Sequence, residues 1–348
     1  MCLIVYKVNR HLRLNILYKL RIECYSKYYF DYQTIGGIMK KRITIVSSVV
    51  LMFCLVLWGA GEYFFAQAIK IGPKSFIDSE ASDVWREANE WFATTDLETW
   101  KITSDNGLLL SATYIAATEA TNSTIFIAHG YGNSTATMTQ YIKMFHDAGY
   151  NVLAADARGH GESEGSYIGF GWPERRDVVQ WTQEIVNRLG SQQQIGLYGL
   201  SMGASTVMMA SGESDLPSNV KVIVEDCGYS SVDAELSFQL SDMYSLPAFP
   251  MIPVTSLLTE VKVGYSFYEA SAINQLNNNV KPILFIHGDA DTFVPTSMVY
   301  ELFEATRGPK ELWIVEDTDH ADSYENKGFE YAQRVVQFMD AHIEKAHE

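Results

Sequence analysis

Ile195-Gly196-Leu197-Tyr198-Gly199-Leu200-Ser201-Met202-Gly203-Ala204 is the stretch from which the rest of the chain can be read. A short apolar strand runs into a G-x-S-x-G at 199–203, and a helix-forming run from Ala204 to Met209 follows. Strand, sharp turn and helix in that order are the context the pentapeptide needs to present a serine hydroxyl above the edge of a sheet. The turn forces a strained backbone on Ser201, and the flanking glycines keep the neighbouring chain from clashing. The helix that starts after the turn favours negative charge beside the hydroxyl. A tight turn whose glycines serve packing alone has the same five residues, so the chain must also supply partners for the serine.

Working outward, apolar runs alternate with amphipathic ones. Strands are expected at 99–104, 108–116, 123–128, 151–155, 194–198, 221–225, 282–286 and 311–315, and helices near 135–148, 173–189, 202–212, 296–306 and 324–345. Alternation of this kind predicts an α/β fold: a mostly parallel eight-stranded sheet with helices on both faces. The first two strands have no helix between them and read as an antiparallel hairpin at the sheet edge. Residues 229–275 break the rhythm with Pro247, Pro250 and Pro253 among many apolar side chains, and read as a small helical cap inserted over the site.

The partners lie at the ends of later strands. Ile283 to Val294 is a buried strand followed by an acidic turn that holds Asp289 and Asp291. Asp291 is the expected acid, because Asp289 sits in the turn itself, where it would bond local backbone N–H groups. The next strand, Glu311 to Val315, leads through Asp319 to His320. His320 is the expected base, since His342 and His347 fall on the terminal helix. In Ile125-Phe126-Ile127-Ala128-His129-Gly130-Tyr131-Gly132 a strand enters a glycine turn. The backbone N–H groups of Tyr131 and Met202 are the expected oxyanion donors. His129 reads as a structural histidine beside that turn. Asp156 and Arg158, in Asp156-Ala157-Arg158-Gly159-His160-Gly161-Glu162-Ser163, read as structural residues beneath the site. That loop lacks the lysine and the spacing of a phosphate-binding loop.

The order Ser201, Asp291, His320 is the one expected of this fold. Together with HGYG at 129–132, DARGHGES at 156–163, GLSMG at 199–203 and HGDADTFVP at 287–295, it makes residues from about Trp100 onward resemble the α/β-hydrolase superfamily. Within it the chain is most similar to membrane-anchored bacterial serine hydrolases of the prolyl oligopeptidase-related, serine aminopeptidase-like group. The resemblance implies a nucleophile at Ser201, a base at His320 and an orienting acid at Asp291. It implies an acyl-enzyme formed from a small-molecule ester or peptide substrate, with no metal or organic cofactor. Esterase activity is expected, with peptidase and acyltransferase activities as the alternatives. A non-catalytic binding module would not need the three side chains.

Charge separates the chain into two parts. Residues 1–68 hold nine Lys or Arg and three Asp or Glu, against 17 and 39 in the remaining 280. A body that acidic repels phosphate backbones and argues against nucleic acid as a partner. Residues 43–61 are 19 positions without a charge, preceded by Lys40, Lys41 and Arg42. A helix of that length comes close to spanning the ~30 Å hydrocarbon core of a bilayer. Residues 39–68 therefore read as a signal-anchor that places the body outside a cell membrane. Secretion after cleavage at Ala66-Gln67-Ala68 is the alternative. Residues 1–38 read as a cytoplasmic tail or a mis-called start, and 69–98 as a linker with a docking helix over 80–92. The catalytic domain is expected over 99–348. Of the cysteines Cys2, Cys24, Cys54 and Cys227, only Cys227 falls in the body, which therefore has no internal disulfide.

Overall fold

The computed structural model describes residues 2–72 and 85–344, with side chains from residue 18 onward. The chain divides into two units, 1–59 and 60–348. Helix α1 (Cys2–Ala68) accounts for the first, and its last turns, from Ala60, belong to the second. In the first unit the apolar side chains between Ile43 and Val56 are exposed, and the helix is long and apolar enough to cross a membrane. The helix extends back to Cys2, through a region in which the sequence carries no clear fold signal.

In the second unit the described residues form, in order, α2 (Arg86–Thr94), β1 (Glu98–Thr103), β2 (Leu109–Ile115), β3 (Ser123–Ala128), α3 (Thr139–Asp147), β4 (Asn151–Ala155) and α4 (Glu174–Leu189). There follow β5 (Gln194–Leu200), α5 (Met202–Ser211), β6 (Val220–Asp226), α6 (Val232–Tyr244), α7 (Ala248–Val263) and α8 (Ala272–Leu276). The chain ends with β7 (Ile283–Gly288), α9 (Ser297–Ala305), β8 (Lys310–Val315), α10 (Ser323–Lys327) and α11 (Phe329–Asp340).

The eight strands make one sheet in the order β1-β2-β4-β3-β5-β6-β7-β8. β1 and β2 form the edge hairpin, and β2 also runs antiparallel to β4. All other pairings are parallel. β3 and β4 are buried along their whole length, as strands covered on both faces must be. The side-chain alternation of a strand sends Phe126, Leu197 and Phe285 to one face, against Trp181 of α4 and Met208 of α5. Ile127, Tyr198 and Ile286 go to the other, against Tyr141 of α3 and Tyr331 of α11. The fold is the three-layer α/β architecture expected from the sequence.

Two helical expectations are revised, and a third is described only in part. The run 135–148 opens with a short 3-10 turn at Thr135–Thr137 before α3 starts at Thr139. The run 324–345 is broken at Gly328 (φ 47°, ψ −112°) into α10 and α11, a conformation that ends a helix and that glycine adopts without penalty. Of the docking helix expected over 80–92, residues up to 84 lie outside the described residues. What is described, α2, meets α3 through the Thr139 hydroxyl, which donates to Asn89 Oδ1 at 2.5 Å.

Between β6 and β7 the chain leaves the layered body and returns to the same point. Ser231 bridges Ser271, and the backbone bonds Val232 N–H to Ala270 O and Ala272 N–H to Ser230 O close the base of the excursion. α6 and α7 lie within it.

Candidate active site

The turn between β5 and α5 holds Ser201 at φ 55° and ψ −116°, a region that residues with a Cβ seldom occupy. The Ser201 N–H donates to Asp226 O at 2.8 Å, which fixes the turn from the neighbouring strand. Strand and helix meet closely here. A Cβ on Gly203 would lie 2.1 Å from Ala128 O, and one on Gly199 would lie 2.3 Å from Gly203 O. The two glycines are needed for this contact whatever chemistry follows.

His320 lies in the loop after β8. Its Nε2 stands 2.8 Å from Ser201 Oγ and its Nδ1 2.8 Å from Asp291 Oδ2. Asp291, in the loop after β7, accepts from the N–H groups of Phe293 and Val294 at its Oδ1, at 2.9 and 2.8 Å. Its other oxygen faces two imidazoles, since His287 Nε2 also lies 3.1 Å from Oδ2. Burial alone would raise the Asp291 pKa. The hydrogen bonds and charges of His287 and His320 outweigh it and hold the carboxyl well below the usual carboxylate range. An ionised Asp291 accepts the His320 Nδ1–H, which leaves Nε2 free to accept the Ser201 hydroxyl. His287 Nε2 is also 3.0 Å from Val294 O, so with two acceptors before it that nitrogen carries the proton.

Asp291, the aspartate chosen from the sequence, is the one beside His320, but the reason given for passing over Asp289 does not hold. Asp291 itself bonds the local backbone amides while presenting its second oxygen to His320, whereas Asp289 is exposed. Asp319 ties the two loops together, with its Oδ1 accepting from the N–H groups of Thr292 and His320 at 2.9 and 2.8 Å.

Gly130 lies against the serine, where a Cβ on it would be 3.5 Å from Ser201 Cβ. The turn carrying the Tyr131 amide is therefore beside Ser201, and Met202 N–H opens α5 immediately after it. The Tyr131 ring packs against Phe170, with centroids 5.1 Å apart. His129 uses both nitrogens on backbone. Nδ1–H donates to Gly130 O at 2.7 Å and Nε2 accepts from Ala157 N–H at 2.9 Å. Burial lowers its pKa, which keeps that neutral tautomer. Asp156 accepts from the amides of Thr135 and Glu162, and Arg158 forms a bidentate pair with Asp177, so both are spent on holding loops. His342 falls just beyond α11, bonded to Phe338 O, and His347 is outside the described residues.

Above Ser201 opens a cavity of about 850 Å³, counted out to its mouth. α6 and α7 form much of its wall, through Leu240, Tyr244 and Ile252 among others, and Phe293 lies near the imidazole. Phe64, Gln67 and Ala68 of α1 line it as well. One carboxyl, Glu235, is buried in this apolar lining. Its Oε1 accepts from Gln239, its Oε2 has no partner among the described residues, and burial pushes its pKa up to about 8. Cys227, Asp291 and His320 offer metal-ligand atoms within 4.8 Å of one another. The carboxylate and imidazole already satisfy each other, however, and burial raises the Cys227 thiol well above its ordinary pKa, which disfavours the thiolate a metal would need.

Residues 119–226 match the model of the family described as serine aminopeptidase, S33. The protein YqkD of Bacillus subtilis is 30% identical over 304 residues, covering 87% of this chain and 98% of its own. YfhR of Escherichia coli K12 is 24% identical over 302 residues, covering 83% and 91%. Among solved structures, an esterase of Pyrococcus furiosus superposes with a TM-score of 0.62 at 23% identity, over 80% of this chain and all of that one.

The chain is an α/β hydrolase.

Several residues of this hydrolase's site escaped the sequence reading. His287 is spaced four residues before Asp291, a visible pattern but one that gives no sign of two imidazoles sharing a carboxylate. Asp319 looks like any loop acid until the two loops are seen side by side. The contribution of α1 had no local signal at all, because it depends on a helix end meeting an insertion nearly 200 residues later in the sequence.

Proposed function

We propose that this hydrolase cleaves acyl esters through an acyl-enzyme on Ser201, with His320 as general base and Asp291 as the orienting acid. The supporting observation is the unbroken row Ser201 Oγ, His320, Asp291, with 2.8 Å at each step. In the proposed cycle His320 Nε2 takes the hydroxyl proton as Oγ attacks the acyl carbonyl. Asp291 steadies the resulting imidazolium. The amides of Tyr131 and Met202 hold the oxyanion, for which donors fixed in advance typically supply ~3–4 kcal/mol each. The proton then passes to the leaving alcohol, and water, activated by the same imidazole, releases the acid.

An acyl ester is favoured over a peptide by the lining of the cavity, which is apolar apart from a few groups such as Glu235 and Gln239. The test is a panel of p-nitrophenyl esters and aminoacyl-naphthylamides. We expect ester turnover that Ser201→Ala reduces by about 10⁴-fold or more, with loss of fluorophosphonate labelling. A Ser201→Ala protein with undiminished turnover would overturn the assignment.

We further propose that α1 is retained as a membrane anchor, with the catalytic unit on the outer side. Both sides of the candidate cleavage site Ala66-Gln67-Ala68 are built into the folded unit, since Phe65 and Ile69 are fully buried in its core. The size of the α1 band from intact cells, before and after membrane extraction, decides between anchor and cleaved leader.

A further inference from the structure

Gly61, the last of the 19 uncharged positions, sits in a tight contact with α7. A Cβ there would lie 2.7 Å from Val254 Cγ1 and 2.8 Å from Leu258 Cδ1. Next to it Lys262 Nζ meets Glu62 Oε2 at 2.5 Å. Three residues further on, about 5 Å of helix rise, Phe64 begins to line the cavity over Ser201. The point at which the apolar segment ends is therefore also a wall of the candidate site.

Two further features mark this place as a water–lipid boundary. α7 exposes an apolar stripe, with Leu257 55% and Val261 73% accessible, and Phe249 near its start is 78% accessible. Leu257 and Val261, one helical turn apart, lie on one face of α7, and adjacent apolar side chains this exposed mark a contact surface. Tyr63 is half exposed and stands edge-on to Tyr244 at 6.4 Å, the amphipathic ring type that collects at bilayer interfaces. The occupant of this face is set by what touches it. The segment ending at Gly61 is long and apolar enough to cross a bilayer, and α7 packs on that residue through Val254 and Leu258, which makes lipid the occupant argued for the exposed side chains beside them.

We propose that the α7 stripe Leu257–Val261 rests in the bilayer surface where the uncharged segment of α1 ends at Gly61, and that the cavity takes its acyl chain directly from a bilayer-borne, uncharged glycerolipid ester. This rests on the serine-hydrolase reading above and adds the substrate class to it. An uncharged lipid is specified because residues 69–348 carry 17 Lys or Arg against 39 Asp or Glu, a body that repels anionic headgroups. Ser201 Oγ takes the acyl group, and the glyceride leaves as its alcohol with the proton from His320. Water then releases the fatty acid, so no other reactant is needed.

The experiment uses the full chain reconstituted in phosphatidylcholine vesicles that contain diacylglycerol, with soluble p-nitrophenyl butyrate assayed in the same preparation. We expect turnover of both. Replacing Leu257→Asp together with Val261→Asp should leave butyrate turnover within twofold of the parent and lower diacylglycerol turnover at least tenfold. The milder pair Leu257→Ser and Val261→Ser should show the same split, and it decides the matter if the charged pair loses both activities. Butyrate turnover without diacylglycerol turnover in the parent chain, or a serine pair that changes both substrates alike, overturns the lipid assignment and leaves the hydrolase intact. Absence of both activities, together with failure of Ser201 to label with a fluorophosphonate, overturns the hydrolase reading and this inference with it.

Discussion

The phenolic hydroxyl of Tyr131 donates a 2.7 Å hydrogen bond to the carbonyl of Ala68. One residue thus carries the backbone N–H proposed as an oxyanion donor and anchors its side chain on the last turn of α1. The position of the candidate oxyanion donor depends on a helix that sequence reading assigns to the membrane.

Tyr131→Phe keeps the backbone amide and removes the tether. We expect a loss of about 1 kcal/mol in stability, the usual worth of one such bond, and a fall in kcat of about threefold to tenfold with KM little changed. Steady-state kinetics on a soluble ester, beside a thermal melt, check both. An unchanged kcat would show that the turn holds its place without α1.

Asp319 is expected to act as a positioning residue, because its carboxylate gathers the amides of Thr292 and His320. An asparagine side-chain oxygen accepts the same two bonds, and alanine accepts neither. Asp319→Ala should therefore lower kcat about tenfold or more, and Asp319→Asn should restore most of it. Equal losses in both variants would instead assign the effect to charge.

The strands ahead of Ser201 and Asp291 were legible because each is an apolar run, buried along nearly its whole length, that ends in a polar turn, as a parallel strand covered on both faces does; β8, ahead of His320, is a half-buried edge strand and was legible from Leu312-Trp313-Ile314-Val315. The break at Gly328 was not, because the amphipathic pattern continues on both sides and only the backbone conformation interrupts it. The pairing of His287 with Asp291 and the closing of the cavity by Phe64 belong to tertiary contact, which no window of sequence reports.

Glu235 offers a test by pH. Its carboxyl is pushed up to about 8 by burial, so the folded state keeps a proton that the unfolded chain gives up near pH 4. The contribution of this group is thus favourable at low pH and is lost as pH rises from about 4 to about 8. Glu235→Gln removes that loss. The variant should gain on the parent steadily across the interval, by about 1.4 kcal/mol per pH unit and so up to about 5 kcal/mol at the top. Other buried acids, such as Glu174 and Asp226, titrate in both proteins and cancel. Melting curves at several pH values decide it, and a difference that stays constant with pH would rule out the carboxyl as its source.

Gly203→Ala introduces a methyl group 2.1 Å from Ala128 O, with backbone on both sides and nothing flexible to yield. We expect a destabilisation of about 3 kcal/mol or more and loss of activity beyond what instability explains, because the turn holding Ser201 must open. Denaturant unfolding combined with fluorophosphonate labelling at low temperature separates the two effects.

The excursion between β6 and β7 starts and finishes on one pair of residues, Ser231 and Ser271. Whatever lies between them is a detachable cassette as far as the sheet is concerned, and the chain-entropy cost of closing it rises only slowly with its length. Lineages sharing this scaffold can therefore exchange the segment for a longer, shorter or differently folded one, changing which molecules are admitted while leaving the chemical groups below untouched.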